Sequence, residues 1–488
     1  MTGAAFFDLD RTLLPKASGP ALSAAMRETG VVSARLPGEA LLFGYFNLLG
    51  ESLGSIALAR QAVLVAKGRP ADAFDEAAQL AADVLEPMVG PFAHMLIDEH
   101  HEAGRPVVLA TTTPEHLILP FAERLGIDYV IATRYEVDDT GHFTGRNDGH
   151  FVWSMGKVAA VREWAAEEGI DLDESFAYSD SIYDAPLLRA VGNPGAVNPD
   201  PRLQVLATAA QWPVLHFDAS PGVFKVPVLG MELQRLVTML ARPEVFPYAR
   251  FTVRGTENVP DTGPAILVGN HRSYFDVAAM VVAMGRTGRT ARFLGKKELF
   301  DAPALGRFFR AGGGISVDRR QEDPDSPDAF ASAMRSLAGG ELLAMMPEGT
   351  IPRGIHFFEP GMSGFTGAAR LAHLSKVPVI PFAITGTEKV WPRSSRVPRM
   401  LNLLDPPEVT MTFGEPVELK YRSVRRDMER IFDAITGMLP DEVADPPRPT
   451  MAELALTYPD GTVPDEDRWF AVDGGVDGEA YVEGSDES

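Results

Sequence analysis

The sequence predicts two successive α/β folds, the first built on a doubly wound parallel sheet with helices on its faces, the second a further α/β series. Short apolar runs that end in small polar or acidic residues recur along the chain. They are "AAFFDLD" (4–10), "RPVVLATTTP" (105–114) and "SFAYSDS" (175–181), then "PAILVGN" (264–270), "ELLAMMPEGT" (341–350) and "VPVIPFAITG" (377–386). Helical patterns such as "HLILPFAERLG" and "GKVAAVREWAAEEG" fall between them, and strands alternating with helices imply parallel pairing. Pro-rich, aperiodic text around 195–225 divides the two series, and no internal repeat relates them.

A chain of 488 residues exceeds what one core supports. The expected organisation is a first domain over 1–210, whose Ala-rich stretch 15–95 forms a helical insert after the first strand. A linker with one helix candidate, "GMELQRLVTMLAR", occupies 211–250, and a second domain spans 251–440. Residues 441–488 hold 14 acids against Arg448 and Arg468, a net of −12, and read as a solvated, poorly ordered tail.

Composition narrows the function classes. The formal charge of −22 disfavours nucleic-acid binding. The absence of cysteine excludes thiolate nucleophiles, disulfides and Cys-ligated zinc. No run approaches 18 apolar residues, and Asp8 and Asp10 interrupt any leader pattern, so a cytoplasmic protein with peripheral membrane contact is expected.

Asp8 and Asp10 stand at a strand's C-terminal end, where open α/β sheets bind ligands. Side chains alternate along a strand, so the pair converges only through a turn, which Arg11-Thr12 begins. Two such acids could hold Mg²⁺, or one could attack while the other moves a proton. Thr111 follows the second strand, Lys157 opens a helix, and Asp180 and Asp184 follow the third strand in "YSDSIYDAPLL". In this order, and with "VGNPGAVNPDPRL" (191–203), residues 1–210 resemble the haloacid dehalogenase-like phosphohydrolases related to phosphoserine phosphatase. The resemblance implies a Rossmann-like domain with a helical cap and Mg²⁺-dependent hydrolysis of a phosphorylated small molecule or lipid. Asp8 would be the nucleophile, Asp10 the proton carrier, and Thr111 and Lys157 the phosphoryl-binding residues. Asp8, Asp10, Asp180 and Asp184 would form the metal site. "TTTP" stands where relatives often have Ser-Ala-Ser-Pro, which keeps a hydroxyl at Thr111.

In "NHRSYFD", His271 and Asp276 are five apart. On an unbroken helix they would lie about 140° apart around the axis. They meet only if the His sits at a strand–helix turn and the Asp reaches back from the first helical turn. A carboxylate behind an imidazole fixes its tautomer and raises its basicity. Downstream, residues 286–320 carry nine basic and three acidic residues, interleaved with Phe300, Phe308 and Phe309. A basic, aromatic-edged groove suits a phosphorylated, partly apolar substrate.

Four ordered blocks over 230–425 resemble the glycerolipid acyltransferases, the 1-acylglycerol-3-phosphate acyltransferases. They are 270–276, the Lys-x-Glu-Leu block Lys296–Leu299 with Lys296 or Lys297 as its basic residue, Gly314 to Arg319, and 347–350, with 377–386 closing the series. The resemblance implies that His271 deprotonates the hydroxyl of lysophosphatidic acid for attack on acyl-CoA or acyl carrier protein, with Asp276 orienting it. Lys297 would bind substrate, Arg319 would bind the glycerol phosphate, and Glu348, Gly349 and Thr350 would position the acceptor. "GTIPRG" replaces the commoner Gly-Thr-Arg-Ser, so Arg353 would stand in for the adjacent Arg. Glu359 stands where many relatives have Lys. The acceptor lies in a bilayer, so 223–251 and 300–310 are expected to touch the inner face of the cell membrane. A non-catalytic first domain, or another lysophospholipid acceptor, are the alternatives.

Overall fold

The structure, a computed structural model, describes residues 2–32, 60, 62–219, 223, 225–226, 231–301, 310, 313–317 and 327–473. The chain forms two compact units, Met1–Gly230 and Met231–Ser488.

The first unit holds a six-stranded sheet in the order 129–133, 107–114, 5–7, 176–179, 193–197, 214–215, with every pair parallel. Its faces follow from the period-2 alternation of a strand. Ala5, Phe7, Val107 and Leu109 enter one core, and Ala4, Phe6, Val108 and Ala110 the other. Burial on both faces is why these strands read as continuous apolar runs. Of the region expected to form the helical insert, Gly19–Glu28 and Asp75–Leu85 are helices, and 33–59 and 61 lie outside the described residues. Helix Asp75–Leu85 buries Ala77, Ala78, Ala81, Ala82 and Leu85, the i, i+4 stripe of a packed helix.

In the second unit a seven-stranded sheet runs in the order 250–254, 408–413, 379–385, 265–269, 342–345, 291–296, 315–317. All neighbours are parallel except 379–385 with 408–413. Gly269 ends strand Ala265–Gly269 beside Phe382, and a Cβ there would come within 2.1 Å of that ring. Only glycine lets the two strands approach at this point.

Residues 211–250 do not form a free linker. Strand Val214–Leu215 extends the first sheet, Phe217 is buried in the first core, and helix Leu233–Leu240 belongs to the second unit. That helix is inverted: Gln234 and Thr238 are buried while Val237, Met239 and Leu240 are exposed. Gln234 earns its burial by accepting from Arg292 at 3.0 Å and donating to the Ala291 carbonyl at 2.5 Å.

The expectation of an unordered tail does not hold for 441–473. Helices Asp441–Ala444, Met451–Leu456 and Asp465–Arg468 surround a small core of Leu454, Tyr458, Val463 and Ala471, against which Phe358 packs. Thr450 and Glu453 form a reciprocal capping box on the second helix. The apolar residues are too few and too irregularly spaced to outweigh the acids in a compositional reading.

Candidate functional sites

In the first unit, Phe7 pairs in register with Leu109 and with Tyr178. Asp8, Thr111 and Asp180 therefore leave three adjacent parallel strands at the same end. The strand Ala5–Phe7 lies where the chain's winding direction reverses, the crevice that binds ligands in such sheets. Arg11 takes a left-handed conformation (φ 60°), which folds the chain back, and the Leu14 amide donates to the Leu9 carbonyl at 3.0 Å.

Lys157, 2 % exposed, is the electrostatic centre of this site. Its Nζ donates to Asp8 Oδ1 at 2.7 Å and to Asp184 Oδ2 at 2.6 Å. Burial alone disfavours its charge, but the Asp184 and Asp8 carboxylates outweigh that and raise its pKa. Ser179 Oγ donates to the same Asp184 oxygen at 2.8 Å. Asp10 behaves differently. Burial pushes its carboxyl pKa up, against the opposing pull of the Ser18 amide at 2.6 Å. The strand end thus holds one ion-paired carboxylate and one that burial biases toward carrying a proton. Thr111 Oγ1 is buried and accepts from the Thr113 amide at 3.2 Å.

Asp8, Asp10, Asp180 and Asp184 offer hard oxygen donors of the kind Mg²⁺ takes. As placed, Asp180 pairs with Arg11 Nε at 2.9 Å while Lys157 joins Asp8 and Asp184, so no three acidic or imidazole groups among the described residues form a metal-holding cluster. The donor chemistry is that of a divalent-cation site, with Arg11 and Lys157 paired to three of its four carboxylates. Two further residues bear on this site. Thr12 Oγ1 is buried without a hydrogen-bond partner among the described residues. Asp200 caps helix Pro201–Ala210 and accepts from the Ile182 amide at 3.2 Å, tying the Asp180–Asp184 segment down. The Asp-Pro pair that opens that helix was its visible signal.

In the second unit, strand Ala265–Gly269 stops at Asn270, and helix Asp276–Thr287 starts at Asp276. His271 lies in the turn between them, and its Nδ1 stands 2.7 Å from Asp276 Oδ2. Asp276 is fully buried, and the same oxygen accepts from the Arg272 amide at 2.7 Å and the Ser273 amide at 3.0 Å. Its other oxygen accepts from Thr387 Oγ1. Asn270 fixes the base of the turn by exchanging two hydrogen bonds with the Ile384 backbone, at 2.8 and 2.7 Å. The imidazole is partly exposed, and its Nε2 makes no hydrogen bond among the described residues.

Glu348 lies in the turn after the neighbouring strand, Leu342–Met345, and accepts the His271 amide at 2.6 Å. Burial raises its pKa to about 8, with the Asp276 charge acting in the same direction. Glu348 is therefore largely a neutral acid at pH 7. Gly349 follows with φ 71°, a left-handed turn, and Thr350 is exposed. Arg353 and Lys297 are exposed, and Glu359 pairs with His356 at 3.0 Å. Arg319 and the 302–309 stretch lie outside the described residues.

Three residues that hold Asp276 or Arg272 (Thr387, Phe357 and Glu388) had no signal in their own surroundings. Thr387 lies 111 residues beyond Asp276, just past the strand Val379–Thr385. Phe357 stacks on the Arg272 guanidinium at 3.9 Å, and Arg272 faces Glu388 at 3.6 Å. The folded tail reaches the same turn. Thr457 Oγ1 accepts the Gly354 amide at 2.8 Å, and a Cβ on Gly354 (φ 60°) would meet the Tyr458 hydroxyl. The 441–473 segment thereby holds the 354–358 turn, whose Phe357 covers the residue next to His271.

A family model of haloacid dehalogenase-like hydrolases matches residues 5–189, and a model of acyltransferases matches 250–385. The "Inhibition of morphological differentiation protein" of Streptomyces azureus is 38% identical over 217 residues, 44% of this chain and 78% of that protein. Phosphoserine phosphatase SerB1 of Mycobacterium tuberculosis is 34% identical over 224 residues, 44% of this chain and 71% of that protein. Among solved structures, a protein of unknown function from Bordetella pertussis Tohama I matches at 32% identity and TM-score 0.38, covering 44% of this chain and 99% of that one. The 1-acyl-sn-glycerophosphate acyltransferase PlsC of Thermotoga maritima matches at 20% identity and TM-score 0.31, covering 42% and 79%. The chain belongs to the haloacid dehalogenase-like hydrolases through its first half, which is similar to phosphoserine phosphatases and is joined in one polypeptide to an acyltransferase domain.

Proposed function

We propose that this chain is a bifunctional lipid enzyme. Its second unit acylates 1-acyl-sn-glycerol 3-phosphate to phosphatidic acid, using acyl-CoA or acyl carrier protein, and its first unit hydrolyses a phosphate monoester. The observation that carries the first activity is His271, held through Nδ1 by Asp276 at 2.7 Å with Nε2 left for a substrate hydroxyl. Nε2 takes the hydroxyl proton as the oxygen bonds to the thioester carbon. The C–S bond breaks, and the imidazolium returns the proton to the leaving thiolate. Glu348 contributes as a neutral acid that accepts the His271 amide and adds no second negative charge beside Asp276.

In the first unit, Asp8 would attack phosphorus while Asp10, its carboxyl pKa raised by burial, protonates the departing alcohol oxygen. Asp10 would then take a proton from the water that cleaves the aspartyl-phosphate. Lys157 and Thr111 would hold phosphoryl oxygens, and the orphaned Thr12 hydroxyl is a further donor. Mg²⁺ held by Asp8, Asp180 and the Asp10 carbonyl, with Asp184 in support, would neutralise phosphoryl charge. The Arg11–Asp180 pair favours a second reading, in which this unit is a non-catalytic scaffold.

The wild-type chain, given a labelled acyl thioester and lysophosphatidate, should yield phosphatidate, and given Mg²⁺ it should hydrolyse members of a phosphate-ester panel. No transfer to any lysophospholipid would sink the acyltransferase reading, and an inert panel would leave the scaffold.

The folded tail adds an expectation. Truncation after residue 445 removes Thr457 and Tyr458 from the 354–358 turn and should lower acyl transfer about 10- to 100-fold, the scale of a misplaced positioning element. Truncation after 473 should change nothing. Steady-state kinetics on both chains checks this, and equal activities would show that the tail is only attached.

A further inference from the structure

The segment 396–404, "RVPRMLNLL", lies beyond the acyltransferase match, which ends at 385. Leu401 is 95 % and Leu404 103 % exposed, and Val397, Met400 and Leu403 are each more than half exposed. Slack does not explain this. The base is pinned by the Arg399 amide donating to the Val390 carbonyl at 2.8 Å and by Trp391 Nε1 donating to the Ser395 carbonyl at 2.9 Å. A folded turn therefore presents a cluster of apolar side chains outward.

The charge around it runs against the rest of the molecule. Between Glu388, which faces Arg272, and Asp405, which faces Arg250, stand four cations, Lys389, Arg393, Arg396 and Arg399, and no acid, in a chain of net charge −22. Arg396 and Arg399 are exposed beside the apolar tip. The same base supports the turn that carries His271. The Trp391 carbonyl accepts from Ser273 Oγ at 2.6 Å, and its ring meets Tyr274 at 5.6 Å between centroids.

We propose that 396–404 is a membrane-docking loop that seats the second unit on an anionic lipid surface beside His271. Leucines at the tip would enter the acyl boundary while the guanidinium groups meet lipid phosphates. A second copy of the chain fits less well, because a two-fold contact would set the same arginines against each other. The proposal deepens the lipid-acceptor reading and specifies how acceptor reaches the site.

The full chain should float with phosphatidylcholine vesicles containing phosphatidylglycerol, and more weakly without the anionic lipid or at high salt. Leu401→Asp with Leu404→Asp should lower the partition constant about 100-fold, and Arg396→Gln with Arg399→Gln should cost about fivefold per charge on anionic vesicles only. The leucine variant should acylate a short-chain, monomeric acceptor like the wild type but lose the vesicle-borne one. Flotation unchanged in the leucine variant would overturn the proposal. So would loss of flotation in Val237→Asp with Leu240→Asp alone, which would place docking on helix Leu233–Leu240. A concentration-dependent dimer that the leucine variant abolishes, without vesicle binding, would overturn it in favour of self-association. Loop-dependent flotation of a wild type inert toward every acceptor would support docking and refute acyl transfer separately.

Discussion

Replacing His271 by alanine is expected to lower acyl transfer by about 10²- to 10⁴-fold, the span of a lost general base, without unfolding the second unit. The fold should survive because Asp276 does not depend on the imidazole alone. It keeps the Arg272 and Ser273 amides and the Thr387 hydroxyl. Asp276→Asn is the more disruptive change, since its amide nitrogen would face donors it cannot accept from. Glu348 offers a control on the charge logic. With its pKa at about 8, it is protonated at neutral pH, so Glu348→Gln keeps shape, neutrality and the acceptor for the His271 amide. That variant should retain most activity at pH 7, whereas Glu348→Ala should not. The folded state binds this proton between the ordinary 4.5 and about 8 and the unfolded state does not, so stability declines across that window as pH rises. Glu348→Gln should remove that part of the decline in denaturant titrations. A His271→Ala chain with full transferase activity would remove the base from the mechanism.

How much of this was legible in the sequence depends on the range of each contact. The parallel strands were legible because burial on both faces leaves uninterrupted apolar runs such as "AAFF" and "VVLA". The His271–Asp276 pair was legible because a spacing of five closes only across a strand–helix turn, and the chain makes that turn. Thr387 was not, because its contact with Asp276 depends on which strands become neighbours in the sheet. The proton on Glu348 was equally hidden, since burial is a property of the assembled site. Acidic composition concealed the fold of 441–473, where four buried residues and one capping box suffice to hold short helices on a neighbouring turn.

Asp8→Asn should lower phosphate-ester hydrolysis by about 10⁴-fold or more, the loss seen when a covalent nucleophile is removed, and leave acyl transfer at its wild-type rate. The asparagine preserves the side-chain shape at the strand end, and Lys157 keeps Asp184 at 2.6 Å, so its buried charge stays paired. Lys157→Ala is a poorer test. It would leave Asp8 and Asp184 without their shared cation, and breaking a buried pair costs about 3–5 kcal/mol, enough to confound lost chemistry with lost structure. A second readout separates catalysis from scaffold: brief exposure to a ³²P-labelled ester should label the wild-type chain in acid-quenched samples and fail to label Asp8→Asn. Arg11 bears on the same question, because its ion pair with Asp180 competes for a carboxylate the cation would need. If Arg11→Ala raises affinity for Mg²⁺ in calorimetry and labelling follows, the pair is a resting state of a working phosphatase. If no variant labels and no cation binds, Arg11 has taken the cation's place, and the first unit supports its partner domain without chemistry of its own.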